Sequence, residues 1–100
     1  MRESDFQKDL KRELKKKFPG CYVMKTDPQQ YQGIPDLLIL YKDRWAALEC
    51  KKDAKAAREA EQRPNQGLRV RQMNDMSYAS FIFPENKESV INDLERLFSA

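Results

Sequence analysis

The sequence contains no histidine, only two cysteines and three glycines, and no long apolar run. The absence of histidine excludes Ser-His-Asp triads, histidine metal ligands and histidine general bases together, so any catalysis must use carboxylates, lysines or hydroxyls. Cys21 and Cys50 are too few and too isolated for a disulfide scaffold or a zinc cluster. The longest apolar run, residues 37–41, is far shorter than the roughly 20 residues of a membrane span, and the charged N-terminus is unlike a signal peptide. We therefore expect a soluble, cytoplasmic protein without a membrane partner.

The chain has 100 residues. This length predicts a single domain over residues 1–100, because such a chain buries only about 60–65% of its unfolded surface, and a large substrate would bind outside it. Nineteen Lys and Arg stand against sixteen Asp and Glu, a net charge of +3. One stretch concentrates basic residues that could contact phosphates, with a solvated surface of mixed charge as the alternative. These candidate phosphate contacts are Lys52, Lys55, Arg58, Arg63, Arg69 and Arg71.

Hydrophobic periodicity and turn residues predict seven elements in the order α, β, β, β, α, β, α. The first helix is expected to begin at Ser4 or Asp5, and the others to cover about 65–76 and the residues after Asn86. The predicted strands cover 21–26, 35–41, 45–51 and 78–83. Residues 52–65 have no apolar side chain larger than alanine and favour an exposed helical turn or a mobile loop. Because the last strand follows a helix, we expect an α/β fold with a mixed central sheet flanked by helices.

Three charged residues meet in the predicted hairpin of residues 35–51. Strand alternation puts Glu49 and Lys51 on one face, and the turn brings Asp36 close to residue 50 at the same strand end. Two carboxylates beside an ammonium group provide the close oxygen ligands that a hard divalent cation needs, with positions left for water and phosphate. The alternative is a surface hairpin that carries an ordinary salt bridge.

Two further polar side chains fall on inward-facing helix positions. On a helical wheel Glu3 lies within the apolar stripe of the first helix, unless that helix begins at Ser4 and leaves Glu3 in a frayed terminus. Gln66 lies between Val70 and Met73 on the wheel of its helix, where a glutamine bonded to backbone groups is the alternative. Gly67 follows and weakens a helix interior by about 1 kcal/mol, so we expect this helix to begin later or to be mobile.

The order of these residues resembles a known family. Gly33-Ile34-Pro35-Asp36, twelve intervening residues, Glu49-Cys50-Lys51 and then Gln66 are similar to the pattern of the PD-(D/E)xK nuclease superfamily. The likeness is closer to the virus-type replication-repair nuclease (VRR-NUC) family in its small, stand-alone phage or prophage form, and it covers nearly the whole chain. Each piece is weak, but the ordered set is specific. It implies a restriction-endonuclease-like core, αβββαβ, with a C-terminal helix added.

The resemblance also implies a site for Mg²⁺ or Mn²⁺. Asp36 and Glu49 would bind the ion, with the backbone carbonyl of Cys50 and the carboxylate of Glu3 as further ligands. Lys51 would orient or deprotonate the attacking water or stabilise charge on the phosphate, and Gln66 would bond a ligand carboxylate, water or phosphate. Gly33 and Pro35 would form the structural turn into the strand, since the sharp entry needs the backbone freedom of glycine.

The function implied is a metal-dependent DNA endonuclease. Small members of the family resemble Holliday-junction resolvases and tend to form homodimers, so branched or flapped DNA cut by two symmetric sites is expected. The cytoplasm of a bacterial host cell would be its location. A non-catalytic nucleic-acid-binding module that retains the nuclease fold stays open, although such a module would not need Asp36, Glu49 and Lys51 together. A small interaction protein with a fortuitous motif would show no salt-dependent DNA binding and no response to Mg²⁺.

Overall fold

The computed structural model describes residues 2–99, which form a four-stranded sheet with helices on both faces. The strands are β1 (Tyr22–Lys25), β2 (Leu37–Tyr41), β3 (Arg44–Cys50) and β4 (Ala79–Ile82). The helices are α1 (Glu3–Lys17), α2 (Ala54–Glu61), α3 (Pro64–Met76) and α4 (Lys87–Ser99). The sheet order is β1-β2-β3-β4, with β4 parallel to β3 and the other pairs antiparallel. The predicted α/β fold with a mixed sheet flanked by helices is therefore confirmed. Within residues 2–99 no helix is both long and apolar enough to cross a membrane.

A tight hairpin between β2 and β3 sets the register of the sheet. Leu37 pairs with Leu48 and Tyr41 with Arg44, which leaves Lys42 and Asp43 as the turn. Lys42 has a φ of 57°, the positive value that two-residue hairpin turns require. A slip of one residue would exchange the two faces of the strands, so this turn decides which side chains point to each face.

Each face of the sheet has its own hydrophobic cluster. On one face α1 and α4 pack against large β2 and β3 side chains such as Leu37, Ile39 and Leu48. On the other face α2 and α3 cover Ala47 and Phe81. This second layer is rich in alanine, and an open pocket of about 360 Å³ lies among α2, α3 and β4. The two halves of the core therefore differ in the size of the side chains that fill them.

Helix α1 begins earlier than its capping pattern predicts. It starts at Glu3, and its N-cap residue is Arg2, whose side chain makes no capping hydrogen bond. The prediction that Ser4 or Asp5 caps the helix is therefore wrong. Glu3 belongs to the first helical turn, so the alternative of a frayed terminus at this residue is also wrong.

Helix α2 occupies most of the stretch that lacked large apolar residues. Asp53 caps it, because its carboxylate accepts a hydrogen bond of 2.8 Å from the Ala56 N–H. Ala57 and Ala60 are buried. The stretch is thus an ordered helix of two turns rather than a single exposed turn or a mobile loop, and its buried face consists of side chains too small to give an apolar periodicity.

Helix α3 begins at Pro64, and Gly67 lies within its first turns. Proline suits the first helical position, because the N–H group that it lacks would have no partner there. A Cβ atom at Gly67 would lie 2.5 Å from the carbonyl oxygen of Glu61, at the end of α2. Gly67 therefore permits the close approach of α2 and α3, and the expectation that the helix begins after it is wrong.

We predict that Gly67→Ala destabilises the protein, although alanine is the better helix former by about 1 kcal/mol. The added methyl group forces the backbone of α2 to move, so the free energy of unfolding should fall by about 1–3 kcal/mol. Urea unfolding measures this change. Gln72→Ala, at an exposed position of the same helix, is the control and should stay within about 0.5 kcal/mol of wild type. A Gly67→Ala protein as stable as wild type would contradict the packing described for this junction.

Candidate metal and phosphate site

Asp36 stands just before β2, at a strand entry that is fixed by backbone contacts. The register that pairs Leu37 with Leu48 continues to Asp36 and Glu49. The N–H of Thr26 donates to the Asp36 carbonyl at 2.9 Å, and the Thr26 hydroxyl donates to the carbonyl of Pro35 at 2.6 Å. Thr26, just after β1, therefore holds the strand entry through the carbonyls of both Pro35 and Asp36.

Gly33 and Pro35 lie where the chain enters this strand, with Gly33 in the turn itself. Gly33 has a φ of 81°, which glycine adopts without strain, and Pro35 is buried. A Cβ atom at Gly33 would lie 2.7 Å from the backbone carbon of Asn65 in α3. The glycine thus serves a second purpose that the sequence pattern did not indicate: it lets the first turn of α3 pack against the strand entry.

The carboxylates of Asp36 and Glu49 share one face of the sheet. Ala47 of β3 belongs to the cluster under α2 and α3, and alternation puts Glu49 and Lys51 on the same side. The Asp36 N–H donates to Glu49 Oε1 at 3.1 Å, and the Cys50 N–H donates to Asp36 Oδ2 at 2.9 Å. The predicted approach of Asp36 to residues 49–51 is therefore confirmed, with Glu49 as its direct partner across the strands.

Lys51 completes the group. Its Nζ lies 3.1 Å from Glu49 Oε2, and the two side chains are only 11% and 5% exposed. The Lys51 N–H also donates to the Ile82 carbonyl at 2.9 Å, which holds the backbone after β3 against β4. The alternative of an exposed surface salt bridge is wrong, because a pair buried to this degree is shielded from water and from added salt.

Burial shifts both carboxylates towards their neutral forms, and repulsion by Asp36 adds to the shift of Glu49. Burial raises the pKa of Asp36, while the N–H of Cys50 and the charges of Lys51 and Lys25 act in the opposite direction. Burial, followed by the charge of Asp36, raises the pKa of Glu49 to about 7 despite the ion pair with Lys51. One ammonium group therefore does not compensate fully for two adjacent acids, and a second positive charge at this point would stabilise them both.

Asp36 and Glu49 are the residues at this strand end that could hold a hard divalent cation. Within residues 2–99, Asp36 Oδ1 accepts no hydrogen bond, so this oxygen is open to a ligand. The N–H of Cys50 points towards Asp36, and the C=O group of a strand residue points to the same side as its N–H. The Cys50 carbonyl therefore points to the side of β3 that faces Asp36, beside the two carboxylates of the expected set.

Glu3 lies apart from this set. It is half-buried in the first turn of α1, a helix that packs on the sheet face to which the Cys50 side chain points. Burial and then the charge of Asp36 raise the pKa of the Cys50 thiol to about 12, and Glu3 adds to this shift from the α1 side. Among residues 2–99, no three Asp, Glu or Cys residues form a cluster suited to a metal ion. The structure thus brings Glu3 near Cys50 but not into one cluster with the two carboxylates, and its ligand role stays a prediction.

Gln66 occupies the first turn of α3, next to the residue that packs against Gly33. It is half-buried, and its Oε1 atom is buried without a hydrogen-bond partner among the described residues. The alternative of a glutamine whose oxygen is satisfied by the backbone is therefore wrong. An unpaired buried acceptor costs about 1–3 kcal/mol, so this oxygen favours the approach of a hydrogen-bond donor such as a water molecule.

The six predicted phosphate contacts differ in exposure. Five are exposed, on the segments from the end of β3 to the middle of α3: Lys52, Lys55, Arg58, Arg63 and Arg71. Arg69 is half-buried, donates from Nε to the Gln32 carbonyl at 3.3 Å, and lies 5.7 Å from the centre of the Tyr31 ring. Arg69 therefore ties the loop between β1 and β2 to α3.

Lys25 is a further charged residue near the site, and the sequence pattern does not indicate it. It ends β1, where it pairs with Leu37, and its charge lowers the pKa of Asp36. The signal was the pairing of the first two strands, which places the end of one beside the start of the next. The length of the intervening polar loop conceals that register in the sequence.

The raised pKa of Glu49 predicts a particular dependence of stability on pH. Its folded value of about 7 exceeds its ordinary value of 4.5, so the folded chain binds this proton more tightly than the unfolded chain. The resulting stability is present below about pH 4.5 and is lost as the pH rises to about 7. Urea unfolding in EDTA should therefore show a fall of roughly 3 kcal/mol across this window.

The control for this prediction is Glu49→Gln, which keeps the shape of the side chain and removes its titration. The variant should lack the Glu49 part of the decline, while Asp36 and the rest of the protein titrate in both proteins. Parallel stability profiles for wild type and Glu49→Gln would show that Glu49 titrates normally in the fold.

Known proteins give no match to this chain. A scan against protein-family models finds none that matches, and searches of curated proteins and of solved structures also find none. What supports a function for the chain is therefore the geometry of its own residues, above all the contacts among Asp36, Glu49 and Lys51.

Proposed function

We propose that the protein is a Mg²⁺- or Mn²⁺-dependent DNA endonuclease that hydrolyses phosphodiester bonds in branched DNA. The observation that carries this proposal is the buried Glu49 beside the half-buried Asp36, with Lys51 in contact, at the end of two adjacent strands. Two adjacent acids, one of them buried with a pKa near 7, are an unfavourable arrangement for a purely structural salt bridge. A bound divalent cation would compensate the excess negative charge.

Each residue of the site has a role in this proposal. Asp36, Glu49 and the Cys50 carbonyl would hold the ion, which supplies charge neutralisation at the phosphate and lowers the pKa of a bound water. Lys51 donates its hydrogen bonds towards the attacking water or a phosphate oxygen, and Glu49 keeps its ammonium group at the site. The Cys50 N–H holds Asp36 Oδ2, so that the other oxygen faces outward.

The same proposal assigns the chain to the PD-(D/E)xK superfamily and, within it, to the VRR-NUC family. In its support, α1, β1, β2, β3, α3 and β4 follow the expected order αβββαβ, with α2 inserted and α4 appended. Gln66 fits the helix glutamine of the family, because its unpaired oxygen lies in the turn beside the strand entry.

A homodimer that acts on DNA junctions or flaps is part of the proposal. One chain has one such site, so symmetric cutting of two strands needs two copies. The exposed bases after β3, among them Lys52, Lys55 and Arg58, would bind phosphates without reading sequence. Their contribution would appear as a strong dependence of DNA binding on salt concentration.

We predict that wild type cuts labelled four-way junctions or flaps in Mg²⁺ or Mn²⁺, and that Asp36→Asn and Lys51→Ala are each at least about 100-fold slower. The first change removes a carboxylate that the ion needs, and the second removes the ammonium group beside the water and phosphate. Gel analysis of single-turnover cleavage measures both rates.

Matched controls come from the turn of the same hairpin, where Lys42 and Asp43 are exposed. Lys42→Ala and Asp43→Asn should cut at the wild-type rate, because the turn lies at the opposite end of the strands from the site. The proposal fails if wild type cuts single-stranded, duplex, flapped and branched DNA in neither metal, or if the site variants cut as fast as these controls.

We also predict that Mg²⁺ stabilises the protein in the absence of DNA. An ion bound only by the folded chain raises its melting temperature, and the effect should grow above about pH 7, where Glu49 is charged. Thermal unfolding with and without Mg²⁺ measures the shift. Glu49→Gln should abolish it and Asp43→Asn should keep it, whereas an equal shift in all three proteins would mean that Mg²⁺ binds elsewhere.

The second candidate function is a nucleic-acid-binding module without catalysis. It is favoured by the observation that both Glu49 oxygens are already engaged, one by the Asp36 N–H and the other by Lys51. Such a module would bind branched DNA in a salt-dependent manner, would cut none, and would show no thermal response to Mg²⁺.

A further inference from the structure

The sheet face that carries Asp36 and Glu49 also carries a row of apolar side chains, which we call the open strip. Strand pairing sets Tyr22 opposite Leu40 and Leu40 opposite Trp45, and in the next row Met24 opposite Leu38. All five lie on the same face as the two acids, because their positions alternate with those of Leu37, Ile39 and Leu48. The open strip consists of Tyr22, Met24, Leu38 and Leu40, and Trp45 borders it where it packs against the cluster under α2 and α3.

Helices cover only half of this face. α2 and α3 pack over β3 and β4, where Ala47, Ala79 and Phe81 are buried. Over β1 the face is open: Tyr22 is 70% exposed and Met24 is 47% exposed, whereas Val23 between them packs into the core on the other side. An aromatic ring and a thioether on an edge strand are thus left exposed beside the carboxylates.

The spacing along the strands relates the open strip to the site. Leu38 is two residues beyond Asp36, about 7 Å along β2, and Leu40 is about 13 Å along it. These steps match the separation of successive nucleotides in an extended single strand. A DNA strand whose phosphate lies at Asp36 and Glu49 would therefore place its next base over Leu38 and Met24. The following base would lie over Leu40 and Tyr22.

We propose that the open strip binds unpaired nucleobases next to the phosphate that is cut, so that the substrate is single-stranded on one side of the cleavage point. This inference rests on the proposed function and adds the substrate class to it. Base pairing buries base faces inside a duplex, whereas unpaired bases stack on aromatic side chains in a manner that tolerates any sequence. Tyr22 is the exposed aromatic ring that such a base would meet.

Charge favours nucleic acid over a second copy of the chain as the occupant. Lys51 borders the acids on the same face, and Lys25 at the end of the edge strand is close enough for its charge to act on Asp36, so positive charge lies at the site end of the open strip. A second copy docked by a two-fold axis that runs along the strands would set the open strip against itself and bring two further carboxylates towards Asp36 and Glu49. The open strip is also continuous with the site, which a substrate must reach.

The test compares binding of oligothymidylate and of a duplex of equal length by fluorescence anisotropy, in EDTA so that nothing is cut. Tyr22→Ala should weaken single-strand binding about tenfold, from the loss of one stacked base, and change duplex binding less than about twofold. Met24→Ala should act in the same direction with a smaller effect. Tyr22→Phe keeps the ring and should bind like wild type.

Met76→Ala is the matched control, because Met76 is 74% exposed but belongs to α3 and not to the sheet. Circular dichroism should be the same for all variants, since the substituted side chains are exposed. The proposal is overturned if Tyr22→Ala weakens both ligands equally or neither. It is also overturned if Tyr22→Ala dissociates a dimer during gel filtration while single-strand binding stays intact, since a second copy would then occupy the face.

The outcome for the open strip is separable from the outcome for catalysis. Wild type that binds single strands through Tyr22 but cuts no DNA in Mg²⁺ or Mn²⁺ would support the open strip and contradict the nuclease. If wild type cuts fully paired junctions as fast as flaps, and Tyr22→Ala cuts both at the wild-type rate, the result would support the nuclease. The same result would overturn the proposal that the open strip binds unpaired bases.

Discussion

The register of a two-residue hairpin brings the carboxylates of Asp36 and Glu49 close together, and hydrogen-bond donors around them oppose their repulsion. The N–H groups of Asp36 and Cys50 and the ammonium group of Lys51 all donate to these two acids. The compensation is incomplete, since the pKa of Glu49 still rises to about 7. Folding energy from the two hydrophobic clusters therefore maintains a concentration of negative charge that the local groups alone would not stabilise. The proposed cation site, the proposed role of Lys51 and the proposed surface for substrate all depend on this one constraint.

The sequence predicted the parts of this arrangement that depend on short-range geometry. Alternation along a strand and a tight turn suffice to bring Asp36 to Glu49 and Lys51, because both rules act over a few residues. Helix α2 escaped prediction because its buried face is Ala57 and Ala60, which carry no apolar periodicity. Two other features depend on tertiary packing across loops, for which the sequence has no local signal. They are the effect of the Lys25 charge on Asp36 and the close approach of Asn65 to Gly33.

The two faces of the sheet differ in how completely helices cover them. Large side chains from α1 and α4 fill one face and provide most of the buried apolar area. The other face is covered by α2 and α3 on one half only, with small residues beneath them. Because helices occupy β3 and β4, the edge strand β1 and the start of β2 are the part of the sheet that a ligand can reach. The position of two short helices thus decides which strands become surface.

The glycines at positions 33 and 67 have a mechanical consequence. Gly67 lets α3 approach the carbonyl of Glu61 at the end of α2. Gly33 lets the entry of β2 approach the backbone of Asn65 in α3. Both contacts are made by main chain on main chain, which yields far less than a flexible side chain does. α2, α3 and the peptide that precedes Asp36 consequently form one stiff linkage. We therefore expect a displacement of α2, whose exposed side carries Lys55 and Arg58, to reach the strand entry through backbone contacts instead of being absorbed by side-chain rotations.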